Sequence, residues 1–299
     1  MPVPTDEERI GTLVADRYRI EGVLGRGGMG AVFEAMHTWT GRAVAIKLLA
    51  PELAENAAGV RRFFQEARAA ATIRHPNVVE VLDMGAAEDG CVFLVLELLH
   101  GEPLSRRLDA RGRLPAGEAL ALLLPIAQGL GAAHEQGILH RDVKPDNIFI
   151  SRDGAGAIVP KLLDFGMAKM AESNWGLTTA RGTLLGTTFY MSPEQCEGAR
   201  DLGFPTDVWS IGAVLYRCLT GRPPFVGRSP TTVLLAITRG EREPLRSLAP
   251  ETPPAIASAI EAALEPDRAQ RYPDMGALIA ALLRAAEESG VLLDAGECM

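Results

Sequence analysis

An aspartate, a lysine and an asparagine crowd into one short stretch, His140-Arg141-Asp142-Val143-Lys144-Pro145-Asp146-Asn147. Asp142 reads as a carboxylate in a loop after a helix, placed to accept or orient the proton of an attacking hydroxyl. Lys144 supplies positive charge for a transferring phosphoryl group. Asn147 offers a carbonyl oxygen, the donor that a hard cation such as magnesium prefers. His140 reads as a buried support for the loop rather than a reacting group. Further on, Asp164-Phe165-Gly166 follows a short strand pair and offers Asp164 as a second magnesium ligand; alone, Asp-Phe-Gly is an ordinary turn.

Two earlier segments fit the same chemistry. Gly25-Arg26-Gly27-Gly28-Met29-Gly30-Ala31-Val32 is a GxGxxGxV run between two strands. Its glycines let backbone N–H groups approach phosphates closely. A dinucleotide fold would follow such a loop with a helix, whereas a strand follows here. Val44-Ala45-Ile46-Lys47 places an ammonium on the third strand, suited to neutralising phosphate charge. Glu66, on a helical stretch, is placed to pair with Lys47 and orient it; taken singly, each is an ordinary surface charge.

These groups need a scaffold. Arg17–Leu24, Ala31–His37, Arg42–Leu49, Val78–Met84 and Cys91–Leu98 alternate as strands. Asn56–Thr72 is helical, with Val60, Phe63, Phe64, Ala67 and Ala71 on one face. Past Gly101 the pattern turns helical, over 115–136, 206–220, 230–239, 254–264 and 273–288. Short strands near 148–150 and 161–163 interrupt it. Pro125 should kink its helix or shift its start. The stretch 151–160 reads as an enlarged loop.

The chain has 299 residues, 47% apolar and 23% charged, which suits one large globular domain or two lobes. A net charge of -8 disfavours a nucleic-acid binder, which needs a basic face. Four scattered cysteines without a CxxC pair argue against zinc and disulfides and for a reducing compartment. The N-terminus is too acidic for a signal peptide. The apolar stretch Ala119–Ala127 is too short to span a bilayer. A cytoplasmic location is the expectation.

Together the motifs resemble the protein-kinase signature set, in the right order, and are similar to those of bacterial, eukaryotic-like (Hanks-type) serine/threonine kinases. The resemblance extends to Ser192-Pro193-Glu194, Asp207-Val208-Trp209-Ser210-Ile211-Gly212 and Arg271. It implies an α+β bilobal fold with a β-rich N-lobe (17–99) and a helical C-lobe (100–285), flanked by an extension (1–16) and a tail (286–299). It implies ATP and Mg2+ as cofactors, with ATP between the lobes. Gly25, Gly27 and Gly30 would cover the nucleotide. Lys47 would contact its α- and β-phosphates and Glu66 would pair with Lys47. Asp142 would be the catalytic base, aided by Lys144, and Asn147 and Asp164 would hold magnesium. Glu97 and Leu99 would bond adenine through their backbone, with Leu96 as gatekeeper and Leu24, Val32, Ala45 and Phe149 against the ring. Arg271 would pair with Glu194.

Lys144 and Gly186-Thr187 imply serine/threonine acceptors in protein substrates. In the family, an arginine at the position of Arg141 meets a phosphorylated loop; Thr179, then Thr178 and Thr183, are the candidate sites, while Thr187 shapes the substrate site. A homodimer is one arrangement for autophosphorylation. No nucleic acid and no membrane segment are expected. The alternative is a pseudokinase-type scaffold on the same fold, disfavoured because Lys47, Asp142, Asn147 and Asp164 are all present. The chain stops soon after its last helix, so it reads either as a short kinase or as a fragment of a longer one.

Overall fold

The computed structural model describes residues 5–28, 30–54, 56–87, 90–165 and 188–295. They form two compact units. The first runs to Arg74 and resumes over Val79–His100; the second takes His75–Val78 and the described chain from Gly101 onward.

The first unit is built on an antiparallel sheet of β1 (Leu13–Val14), β2 (Tyr18–Gly27), β3 (Gly30–His37), β4 (Ala43–Leu49), β5 (Val81–Ala86) and β6 (Val92–Glu97), in the order β1-β2-β3-β4-β6-β5. Phe33, Ile46 and Val95 lie at its centre, fully buried. Two helices, α1 (Pro51–Ala54) and α2 (Ala57–Thr72), accompany the sheet. Asn56 caps α2, its Oδ1 accepting from the amides of Ala58 and Gly59 at 3.0 and 3.2 Å. That satisfies two of the donors that a helix start leaves orphaned. Phe63 and Ala67 are the residues α2 buries. The expected five strands and one helix are thus six and two. Both additions are too short for periodicity to reveal.

Gly30 opens β3 at φ +137°, and a Cβ there would lie 1.9 Å from the carbonyl oxygen of Leu48. Gly25 and Gly27 are different: a Cβ on either would meet nothing within 4 Å. Gly30→Ala is therefore expected to lower the melting temperature, its cost exceeding the roughly 0.4–1 kcal/mol that a glycine-to-alanine change gains where the backbone accepts it. Gly27→Ala should hold it or raise it slightly. Thermal denaturation of both variants checks this.

The second unit combines a sheet of β7 (Gly101–Pro103), β8 (Ile148–Arg152) and β9 (Ile158–Leu162) with helices α3 (Leu104–Arg111), α4 (Ala116–His134), α5 (Pro193–Cys196), α6 (Pro205–Thr220), α7 (Pro230–Arg239), α8 (Leu245–Leu248), α9 (Pro254–Ala263) and α10 (Met275–Glu288). The segment 75–78 joins this unit by its hydrogen bonds. Asn77 Nδ2 donates to the Pro160 carbonyl, and the Leu162 amide to the Asn77 carbonyl, both at 2.8 Å.

Helix α4 runs through Pro125 from Ala116 to His134, so the proline does not shift its start by a turn. Leu122, Leu123, Ile126, Ala127 and Leu130 are all essentially buried. Such all-round packing offsets the roughly 3 kcal/mol that an interior proline costs. By length and composition α4 could also cross a membrane; here its apolar residues are core. The stretch 151–160 is a strand-turn-strand rather than an enlarged loop. Ser151 pairs with Val159 and Arg152 with Ile158, and Asp153 Oδ1 closes the turn on the amides of Ala155 and Ala157. Asp153-Gly154 is the hairpin signal.

Candidate active site

The second unit holds the Asp142 loop rigidly, and the anchor is buried in α6. Asp207 is fully inaccessible. Its Oδ2 accepts from the His140 amide at 2.9 Å and lies 2.8 Å from His134 Nε2; its Oδ1 accepts from the Arg141 amide at 2.9 Å. Burial alone would raise the Asp207 carboxyl, but the bond to His134 and the neighbouring imidazoles and amides hold it below the usual carboxylate range. These bonds stabilise a backbone that would otherwise be strained. Arg141 has φ +67°, a left-handed conformation that non-glycine residues adopt at a cost.

His140 is buried and ties together two loop segments of the site. Its Nε2 lies 2.7 Å from the Leu163 carbonyl, and its Nδ1 accepts from the Asp142 amide at 3.2 Å. Those partners together require the neutral tautomer with the proton on Nε2. The ring also meets Phe165 edge-on, with centroids 4.7 Å apart. His140 is support, as its sequence context suggests.

Asp142 Oδ2 accepts from Lys144 Nζ at 2.9 Å and from Asn147 Nδ2 at 3.0 Å. Asn147 Nδ2 also donates to the Asp142 carbonyl at 2.8 Å. Asn147 is buried in a 3-10 turn, Pro145–Asn147, whose last carbonyl accepts from the Leu163 amide at 2.8 Å. The arrangement does two things. It commits one Asp142 oxygen to a cation and an amide and leaves Oδ1 as the acceptor. It also commits the Asn147 nitrogen and leaves the carbonyl oxygen as a cation ligand. A hard divalent ion fits that donor set.

The remaining expected residues divide between the units. Lys47 is buried on β4, opposite Val32 of β3 and Leu94 of β6. Glu66 lies half-buried on α2. Leu24, Gly25 and Gly27 are on β2, Gly30 and Val32 on β3, and Ala45 on β4; Leu96 and Glu97 end β6, followed by Leu99. Phe149 is on β8 of the second unit, paired with Pro103 and Lys161. Gly166, Thr178, Thr179, Thr183, Gly186 and Thr187 lie outside the described residues.

A second layer holds the Asp142 loop from below. Gln195 Nε2 donates to the Arg141 carbonyl at 2.7 Å. Gln195 itself closes a capping box with Ser192 at the start of α5. Next to it Glu194 meets Arg271 through two 2.8 Å bonds and accepts from Thr206 Oγ1 at 2.9 Å. Burial pushes the Glu194 carboxyl up, and Arg271's bonds and charge more than reverse that. His134, Gln195 and Thr206 are the residues that reading the sequence did not single out. Only Gln195 carried a signal, the Ser-x-x-Gln spacing of a capping box.

The protein kinase domain matches this chain over residues 18–283. The chain belongs to the protein kinase family. Among curated relatives it is 37% identical over 268 residues to the serine/threonine-protein kinase PknA of Mycobacterium tuberculosis, covering 88% of this chain and 60% of PknA. It is 41% identical to the serine/threonine-protein kinase pkn2 of Myxococcus xanthus, over 80% of this chain and 29% of that one. It thus spans less than two thirds of the length of these relatives. Among solved structures, the kinase domain of Mycobacterium tuberculosis PknI superposes with a TM-score of 0.72 at 27% identity, covering 92% of this chain and 98% of that one. The bilobal kinase fold expected from the motifs is borne out.

Proposed function

We propose that this chain is the catalytic domain of a serine/threonine protein kinase, transferring the γ-phosphoryl group of ATP to hydroxyls of protein substrates. The observation that carries the reading is Asp142: Lys144 and Asn147 hold Oδ2 at 2.9 and 3.0 Å, which aims the second oxygen as an acceptor for a substrate hydroxyl proton. Bound magnesium supplies charge neutralisation for the phosphates. Asn147 and Asp164 are its protein ligands in this reading. Lys144 stabilises charge on the transferring group, Lys47 holds the α- and β-phosphates, and Gly25 and Gly27 leave open space for a nucleotide's approach. Catalysis of this kind is mostly positioning and electrostatics, with turnover of roughly 1–100 per second.

Incubation with γ-labelled ATP, magnesium and a protein acceptor is expected to label serine or threonine. Label on tyrosine alone, or none, overturns the assignment. The curated relatives' names support the same acceptor class. Three free cysteines among the described residues support a cytoplasmic setting.

Regulation by loop phosphorylation is part of the proposal. Arg141 Nε is buried with no hydrogen-bond partner among the described residues. An orphan guanidinium donor next to Asp142 suits a phosphate oxygen. Mass spectrometry after incubation with ATP and magnesium is expected to find phosphate on Thr179, or on Thr178 or Thr183. Its absence from all three sinks this part.

A further inference from the structure

The N-terminal segment is bound to the first unit along β2. The Gly11 amide donates to the Ile20 carbonyl at 2.8 Å, and the Ile20 amide to the Thr12 carbonyl at 3.0 Å. Leu13 and Val14 then pair with Arg19 and Tyr18 as β1. Ahead of these contacts, residues 5–8 form a compact acidic turn. The Thr5 amide donates to Glu8 Oε2 at 2.7 Å, and the Glu8 amide to Thr5 Oγ1 at 3.4 Å. From this turn two carboxylates reach the far end of β2. Arg26 Nε donates to Asp6 Oδ2 at 2.6 Å and Arg26 Nη2 to Glu7 Oε1 at 2.5 Å. Arg26 stands between Gly25 and Gly27, opposite Ala31 across the hairpin. The segment is thus tied to β2 at both ends, at Ile20 by its backbone and at Arg26 by charge.

We propose that Asp6 and Glu7 form a latch on Arg26 that positions the glycine-rich hairpin for nucleotide, making the N-terminal segment a working part of the phosphate site. This rests on the kinase reading above. Glycines on both sides of Arg26 give this end of β2 wide backbone freedom, and ordering it on nucleotide binding costs conformational entropy. A guanidinium gripped at two nitrogens by two carboxylates removes part of that freedom in advance. Arg26 accordingly holds the Glu7 carboxyl below its usual range. The latch is exposed, with Arg26 and Glu7 at 56% and 70% side-chain exposure, so salt weakens it.

Arg26→Met, and separately Asp6→Asn with Glu7→Gln, are expected to raise the KM for ATP about threefold, the scale of exposed ion pairs, with kcat unchanged. Combining all three changes should add nothing further. The ratio of variant to native KM should fall toward one as salt is raised. Amide hydrogen exchange over 25–30 should be faster in both variants. Additive effects, an unchanged KM in the active enzyme, or unchanged exchange overturns the latch. If the native protein transfers no phosphoryl group, the kinase reading fails. The latch is then judged by the exchange rates and by calorimetric binding of magnesium-ATP to the same variants.

Discussion

Asp142→Asn is expected to lose phosphoryl transfer by about two to four orders of magnitude, the range for removal of a general base, while folding and nucleotide binding persist. The carboxamide has the size of the carboxylate, so the loop's packing survives. Its oxygen can still accept from Asn147 Nδ2, now at 3.0 Å from Asp142 Oδ2. What changes is the other oxygen: it becomes an amide nitrogen that donates and cannot accept a proton. The bond from Lys144, at 2.9 Å in the native protein, loses its charge. The loop's anchors do not depend on this side chain. Asp207 holds the amides of His140 and Arg141, and His140 holds the Asp142 amide. The measurement is transfer from γ-labelled ATP beside a magnesium-ATP titration by calorimetry. Equal transfer by variant and native protein would show that Asp142 is not the base and reinstate a scaffold role.

Asp207→Ala is the informative contrast, because it removes the anchor and leaves the acceptor in place. Two backbone amides and His134 would lose their common partner. A left-handed Arg141 would lose the bonds that stabilise it. Activity and stability should then fall together, unlike in Asp142→Asn. The pH dependence follows from the sign of the shift. The Asp207 carboxyl is held below its unfolded value, so its contribution is present above the unfolded pKa and is lost as pH falls through the folded one. Acid should therefore narrow the stability gap between Asp207→Ala and the native protein.

Much of this site was legible in the sequence because phosphoryl transfer constrains residue type at fixed short spacing. Asp142, Lys144 and Asn147 meet one another within a single loop, so spacing alone brings them together. Strands β3, β4 and β6 and helix α2 announce themselves by period and by cap. Where periodicity had little to work on, the reading failed. β1 has two residues and α1 four. α3 follows β7 without a gap and starts at a proline cap lacking a side-chain bond. The β8–β9 hairpin looked like a loop because alanine and glycine hide alternation. The supports contributed by His134 and Thr206 depend on contacts 73 and 12 residues away, and neither side chain has a local signature. Arg271 lay between these cases: the resemblance pointed to Glu194, but an isolated arginine is ordinarily a surface residue.

Arg271→Met is expected to cost about 3–5 kcal/mol, the penalty for breaking a buried ion pair from one side. All five guanidinium hydrogens have partners. Nε donates to the Glu265 carbonyl at 2.6 Å; Nη1 to Glu194 Oε1 and the Pro205 carbonyl at 2.8 and 3.1 Å; Nη2 to Glu194 Oε2 and the Pro266 carbonyl at 2.8 and 2.9 Å. The guanidinium carbon also lies 4.9 Å from the Trp209 ring centroid, a cation–π contact. Methionine fills the volume but leaves the buried Glu194 carboxylate with Thr206 as its partner. For a domain of this size the melting temperature should fall on the order of 10 °C. Lysine should not rescue it, since an ammonium cannot reproduce the planar fork. Activity should fall too, because Glu194 adjoins Gln195, which holds the Arg141 carbonyl. The cause can be isolated. If the penalty comes from a stranded charge, Glu194→Gln in the Arg271→Met background should recover part of the stability, although Glu194→Gln alone destabilises the native protein. Glu194 is held below its usual range, so acid pH should close the gap between Arg271→Met and native protein as the carboxyl protonates. A double variant no more stable than Arg271→Met would place the loss in the orphaned carbonyls of Pro205, Glu265 and Pro266 instead.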